Sequence, residues 1–449
     1  MERAVRFAAF SAGALIGFAA LAAVALWLPS QDGHAQRTGA DPLPKLKARY
    51  ARPAFVPRPP GDPPAPAAIA LGARLFNDKA LSSTGTIACA SCHDPKLSFT
   101  DGERTGKGVT GKRLARHTPT LWNVAFSPFL FWDGRAASLE DQVRFPVEHP
   151  DEMGNAFDEA AKRLATHESY RRAFADAFPG APDVTPAHAA QALAAYERTL
   201  VSPPTRFDRW IAGDADALDK SEIDGFRLFT GRAGCSACHT GFAFTDHNFY
   251  DIGLPGTDKG RGKATGLAAA DHAFKTPTLR ELAWTAPYMH DGSRATLEDV
   301  IRHYENGGVR RPTRSTDLPR NLKLTAEERA ALIAFLQSLS SDAPPEPSTE
   351  AWVGAGRPQP PPLPSDATVV SQAGKRFSPA HVRLAAGQSL TILNDDTRTH
   401  NVRIFDPKLD FNSGAQEPRQ SITISFPDAG TFEAFCSIHP SMRLSIDVK

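Results

Sequence analysis

The sequence predicts a multidomain chain of two mainly α-helical lobes followed by a β-sandwich. Three observations carry that expectation. The five cysteines divide as two, two and one, so the chain repeats one motif and then changes chemistry. Residues 116–144 align without gaps on residues 274–302 at a constant offset of 158, with 12 identities in 29 positions; the first two units are therefore copies of one design. Beyond residue 365 the pattern turns to short alternating apolar segments punctuated by Gly, Pro, Asn and Asp, the mark of strands and turns.

At 449 residues the chain exceeds one ordinary domain. A formal net charge of +1 gives no case for a nucleic-acid partner or an acidic membrane surface. Residues 1–36 carry Arg3 and Arg6, then an apolar run from Phe7 to Leu28, then Gly33-His34-Ala35. That order reads as an export signal cleaved after Ala35, although the run is long enough to remain as a membrane anchor. Either way the working chain is expected outside the cytoplasm, in the periplasm. Residues 37–67 are Pro-rich and expected to be extended.

The first lobe, 68–203, contains Cys89, Cys92 and His93 in the order CASCH; the second, 204–342, contains Cys235, Cys238 and His239 in CSACH. Cys-x-x-Cys-His is the attachment signature of c-type haem, both thiols bonding the porphyrin and the imidazole ligating iron. A single instance also fits a redox dithiol or half a zinc site. Two instances, with no further cysteine to complete a zinc tetrad, point to two covalently bound haem c groups. Each repeat ends in a helix start, Ser138 with Asp141 and Thr296 with Asp299. The second such helix places Leu297, Val300, Ile301 and Tyr304 on one face. A closing helix is expected from Thr325, boxed with Glu328, to Leu339.

The copies differ where their chemistry should differ. Pro146 stands against Tyr304 at the shared offset. Proline has no side-chain donor atom, whereas a tyrosine oxygen can ligate iron. If this position faces the distal side, the first iron is open and the second capped; the plainer reading of Tyr304 is a core aromatic. The first lobe also supplies Gln142 and Glu152, where the second has Val300 and Arg310.

Residues 343–364 form a second Pro-rich stretch, expected to be a semi-rigid linker. In the tail, 365–449, strands are expected at 367–371, 381–384, 389–394, 400–405, 421–426, 431–436 and 444–448. Cys436 is followed by His439 and Met442, and His400 lies upstream. Two His, one Cys and a soft Met are the ligand set of a type 1 (blue) copper site; a buried free thiol is the plain alternative.

Residues 68–342 carry a resemblance. LGARLFND, CASCHDP, FTDG, RHTPTLWN, FWDGRA, EMG, CSACH, TPTLR and TAPYMHDGS are similar to the bacterial dihaem cytochrome c peroxidase family, which includes the MauG-type enzymes. The resemblance implies two cytochrome c-like lobes with His93 and His239 as proximal ligands. It implies that Gln142 and Glu152 line a peroxide pocket, that Trp132 lies between the haems, and that Tyr304 is the distal ligand of the second haem, with Met289 as its competitor. It also implies an inter-haem calcium held by Thr285 and Pro287. Two departures stand out. No His occurs between His93 and His117 to cap the first haem, and His117 replaces an Asn common at the calcium site. The tail resembles the plastocyanin and amicyanin type of cupredoxin, a Greek-key sandwich, with His400, Cys436, His439 and Met442 on the four copper ligands.

Together these readings describe an exported peroxidase that reduces hydrogen peroxide to water. Its fused copper domain takes electrons from a small redox protein or a quinol-linked donor and passes them to the Tyr304 haem, then by way of Trp132 to the open haem. A MauG-like oxidase acting on Tyr or Trp side chains of a partner protein is the rival. A multi-centre electron conduit is the third reading.

Overall fold

The computed structural model describes residues 43–53, 56, 66–319, 321–347, 368–396, 400–406, 408–413, 416, 419–426, 428–436 and 442–449. The apolar run at 7–28, most of the linker and His439 lie outside the described residues. Among those described, no helix is long and apolar enough to cross a membrane.

The first lobe is built from helices Pro66–Phe76, Leu139–Glu148, Phe157–Ala165, Glu168–Ala177 and Pro186–Glu197. Their apolar faces meet in one core that includes Leu71, Leu75, Phe76, Trp122, Val147, Phe174 and Leu193. The second lobe uses helices Arg206–Ala212, Lys220–Thr230, Leu297–Asn306 and Ala326–Gln337 around Phe207, Phe226, Phe229, Leu332 and Phe335. One packing device serves both lobes. A Cβ on Gly72 would lie 1.9 Å from the Ala192 carbonyl oxygen, and one on Gly225 would lie 2.0 Å from that of Ala331. Only glycine lets these helix pairs approach so closely.

The internal repeat is visible in the backbone as well. Asn123 and Glu281, at the shared offset, both adopt positive φ (62° and 60°), as do Phe131 and Met289 (68° and 74°). Leu130 bridges Ala136 just as Tyr288 bridges Arg294. The expected caps form: the Asp141 and Asp299 N–H groups donate to Ser138 Oγ and Thr296 Oγ1, each at 3.1 Å. Thr325 caps the closing helix, its Oγ1 accepting from the Glu328 N–H at 3.2 Å.

The Pro-rich segment before the first lobe corrects the expectation of extended chain. Leu43–Arg49 is helical. Its single proline, Pro44, sits in the first turn, where the missing N–H is no loss. The following Tyr50 is fully buried in the second lobe's core, stacked on Phe244 at 4.8 Å.

In the second lobe, β1 (Phe249–Tyr250) pairs antiparallel with β2 (Phe274–Lys275). The tail is a two-layer β-sandwich. One sheet contains β3 (Thr368–Ala373), β4 (Arg376–Ser378), β6 (Ser389–Asn394) and β9 (Ser421–Ser425) in the order β4-β3-β6-β9. The other contains β5 (His381–Leu384), β7 (Arg403–Asp406), β8 (Leu409–Asn412), β10 (Gly430–Phe435) and β11 (Arg443–Val448) in the order β5-β11-β10-β7-β8. All seven expected strands are present; β4 and β8 are additional. Alternate residues such as Val370, Ile392, Phe432, Leu444 and Ile446 fill the space between the layers. Phe129 of the first lobe joins that apolar cluster, and Phe249 of the second packs against it. The sandwich therefore sits on residues of both lobes, not on the Tyr304 lobe alone.

Candidate functional site

Each CxxCH motif forms a single 3₁₀ turn, Cys89–Ser91 and Cys235–Ala237, with the histidine one residue beyond the second cysteine. The His93 and His239 N–H groups both donate to the carbonyl of their first cysteine at 2.9 Å, which fixes ring and sulfurs on one side of the turn. His93 Nδ1 lies 2.9 Å from the Phe99 carbonyl and His239 Nδ1 2.9 Å from that of Phe244. Nδ1 must carry the proton to make that bond, leaving each Nε2 as a bare lone pair. Burial lowers both pKa values, that of His239 to about 4, so the rings are neutral, as metal ligands must be.

Both motifs open into one continuous cavity of about 1520 Å³, walled by Cys89, Cys92, His93, Cys235, Cys238 and His239. This exceeds the roughly 300–1,000 Å³ of an ordinary small-ligand pocket, and the donor set at each end is that of a haem c. The residues fit two such groups.

Both members of the Pro146/Tyr304 pair line this cavity. Pro146, inside helix Leu139–Glu148, lines the first half with Gln142 and Glu152; Tyr304, on helix Leu297–Asn306, lines the second with Val300 and Met289. Burial pushes the Tyr304 phenol well above its usual range, and the nearby Cys238 and Cys235 add to this. Among the described residues its hydroxyl has no hydrogen-bond partner. The Glu152 carboxyl is also raised, chiefly by burial, with His149 and Arg135 opposing. Its segment is held tightly: the Val109 N–H donates to the Glu152 carbonyl at 2.8 Å, and Gly108 has no room for a Cβ, which would fall 1.7 Å from the Asp151 oxygen.

Trp132 also lines the cavity. Its Nε1–H donates to the His117 carbonyl at 2.9 Å, and its ring lies 6.4 Å from that of His290, its own counterpart in the repeat. Thr285 and Pro287 also line the cavity. His117 Nδ1 is engaged with the Glu103 carbonyl at 3.0 Å. A hard cation such as calcium takes oxygen ligands, so the His117 ring offers it nothing.

In the sandwich, His400, Cys436 and Met442 are fully or almost fully buried. His400 Nδ1 lies 3.7 Å from Cys436 Sγ, while its Nε2 lies 3.0 Å from Asp396 Oδ2. The Asn401 N–H points at Cys436 Sγ from 3.4 Å, and the Cys436 N–H donates to the Met442 carbonyl at 3.2 Å. His400, Cys436 and Met442 are three of the four residues expected to hold a type 1 copper, with the His400 ring oriented by Asp396. The fourth expected ligand, His439, lies outside the described residues.

Two cavity residues escaped the sequence reading. Glu197 ends helix Pro186–Glu197, buried against the first haem site, and burial raises its pKa to about 8. Lys275 aims Nζ at Ser127 Oγ (2.9 Å) and the Phe129 carbonyl (2.8 Å), with burial lowering its pKa to about 8. Neither belongs to a motif, so only the packing reveals them.

Comparison with known proteins agrees with this geometry. Residues 66–216 match the family described as di-haem cytochrome c peroxidase, and residues 223–340 match cytochrome c. The chain is 44% identical over 303 residues to the methylamine utilization protein MauG of Methylorubrum extorquens, covering 67% of this chain and 86% of that one. It is 36% identical to the cytochrome c551 peroxidase of Nitrosomonas europaea, covering 61% of this chain and 80% of that one. A crystal structure of a MauG-like protein associated with microbial copper homeostasis superimposes with a TM-score of 0.60 at 33% identity, covering 65% of this chain and 94% of that one. With two CxxCH turns facing one cavity and this degree of identity, the chain belongs to the dihaem cytochrome c peroxidase family, oxidoreductases that carry two c-type haems and act on peroxide.

Proposed function

We propose that the protein reduces hydrogen peroxide to water outside the cytoplasm, with electrons supplied through its own type 1 copper domain. The observation that carries this reading is that Gln142 and Glu152 line the cavity together with Pro146, which has no side-chain donor where its repeat counterpart is Tyr304. When bound, haem would supply the iron and the electrons that reduce the O–O bond.

The chain's own residues supply position and protons. His93 would hold the first haem's iron through its Nε2, with Nδ1 tied to the Phe99 carbonyl. Pro146 adds no donor atom to the cavity wall. The Gln142 amide can hold both peroxide oxygens, donating with its NH₂ and accepting with its carbonyl. Glu152 would take a proton from peroxide and return it to the departing oxygen, general acid–base work suited to a carboxyl whose pKa burial has raised. The overall balance is one peroxide, two electrons and two protons to two waters. Tyr304 offers its oxygen to the second site, losing its proton if it binds ferric iron. His400, Cys436, Met442 and, in the undescribed loop, His439 would hold copper, a one-electron carrier matched to single-electron donors.

Tyr304 favours a second reading, in which the unit oxidises Tyr or Trp side chains of a partner protein, as the MauG likeness suggests. Peroxide consumption driven by a reductant that reduces only the copper separates the two. Sustained turnover at two electrons per peroxide supports the peroxidase; consumption that requires an added protein substrate overturns it.

A further inference from the structure

Phe129 and Phe249 come from different lobes and meet edge to face, with ring centroids 5.5 Å apart and planes at 62°. The Arg261 guanidinium lies 4.9 Å from the first ring and 4.3 Å from the second. It is fixed there by donating to the Asp133 and Gly134 carbonyls at 3.0 and 2.8 Å. Phe129 is only 7% exposed because it belongs to the apolar cluster of the sandwich, the cluster that contains Cys436 and Met442. Among the described residues, nothing from helix Leu297–Asn306 enters that cluster.

Directly behind this seat runs a short bonded path. Lys275 Nζ donates to the Phe129 carbonyl at 2.8 Å, and the Lys275 backbone N–H donates to the Trp132 carbonyl at 2.8 Å. Trp132 is also three residues along the chain from Phe129. The surface that holds the sandwich is thus connected, through one lysine, to the tryptophan between the haem sites.

We infer that the Phe129–Phe249 seat is the electron-entry port of the dihaem unit. Its occupant is this chain's own copper domain, and the port delivers electrons to Trp132 instead of crossing the Tyr304 lobe. The inference rests on the copper reading above and adds the route. In each transfer copper(I) is oxidised by one electron to copper(II) and one haem iron is reduced by one; no bond is made or broken and no proton is needed. Because Trp132 lines the cavity that both CxxCH turns share, entry there reaches either haem without a fixed order.

The test uses the full-length, copper- and haem-loaded protein, its Phe129→Ser/Phe249→Ser variant and the milder Phe129→Leu. Two readouts are taken: hydrogen exchange of residues 128–132 and 443–448, and the copper-to-haem transfer rate after pulsed reduction of copper. Removing two aromatic anchors should lower the docked population about tenfold or more. The double variant should therefore lose protection at 128–132 and transfer electrons at least about tenfold more slowly. Its blue band, haem spectra and turnover with a small diffusible reductant should match the parent. Phe129→Leu should fall between the two. Lost protection with an unchanged transfer rate would overturn the port, as would parental protection in the double variant. A parent that binds copper without a blue band overturns the copper reading itself, a different failure.

Discussion

Pro146 and Tyr304 occupy equivalent positions on equivalent helices, 158 residues apart, and both face the cavity that joins the two CxxCH turns. On the proposed reading, this one position sets the coordination of both irons. The resting oxidised protein should show one high-spin, five-coordinate haem and one low-spin, six-coordinate haem by electron paramagnetic resonance; two low-spin signals would contradict an open first site. Tyr304→Met should keep the second haem six-coordinate and raise its potential, because a thioether favours ferrous iron more than a phenolate does.

Glu152→Gln should slow peroxide cleavage by about two to four orders of magnitude, the span of general acid–base help, with haem content unchanged. The raised carboxyl pKa gives a sign to the pH dependence. A base that holds its proton to higher pH than ordinary glutamate loses activity sooner on acidification. The acid limb of the rate profile should lie above the usual glutamate range in the parent and vanish in the variant. Stopped-flow mixing with peroxide across pH checks both.

Glu197 makes a prediction about stability. Its pKa is raised to about 8 in the folded chain, from an ordinary value of 4.5. Between those values the folded state binds more protons than the unfolded one, so stability falls as pH rises through the window. Glu197→Gln should flatten that fall. Thermal unfolding should show the variant with a higher Tm than the parent at pH 8 and little difference near pH 4.

Cys436→Ala should abolish the intense blue absorption while both haem spectra persist, since the thiolate is the principal copper ligand in such sites. Turnover with a donor that reduces only copper should collapse, and turnover with a small diffusible reductant should survive. Equal turnover with every donor would remove the copper domain from the circuit.

The fold and much of the site were legible because their signals are local. Covalent haem attachment demands two thiols and an imidazole within five residues, so the motif survives any change in packing. Capping by Ser138, Thr296 and Thr325 is equally local, and strand alternation in the tail predicted seven of the sandwich's strands. The helix at Leu43–Arg49 was misread because proline content was weighed without position: Pro44 lies in the first turn, where proline is tolerated.

By itself the sequence determined the haem chemistry, the duplication, and the difference of Pro146 against Tyr304, and it set the expectation of copper in the tail. Each of these is a matter of residue type at a spacing set by bonding or by helical period. Tertiary structure alone decided that the two CxxCH turns share one cavity, that Trp132 and His290 meet on its wall, and that Glu197 lies buried and Lys275 half-buried along its lining. It also decided that Phe129 and Phe249 together seat the sandwich. Those residues stand far apart in the chain and follow no period. Their meeting is set by how apolar faces of separate elements exclude water together, a many-body condition that no single segment encodes.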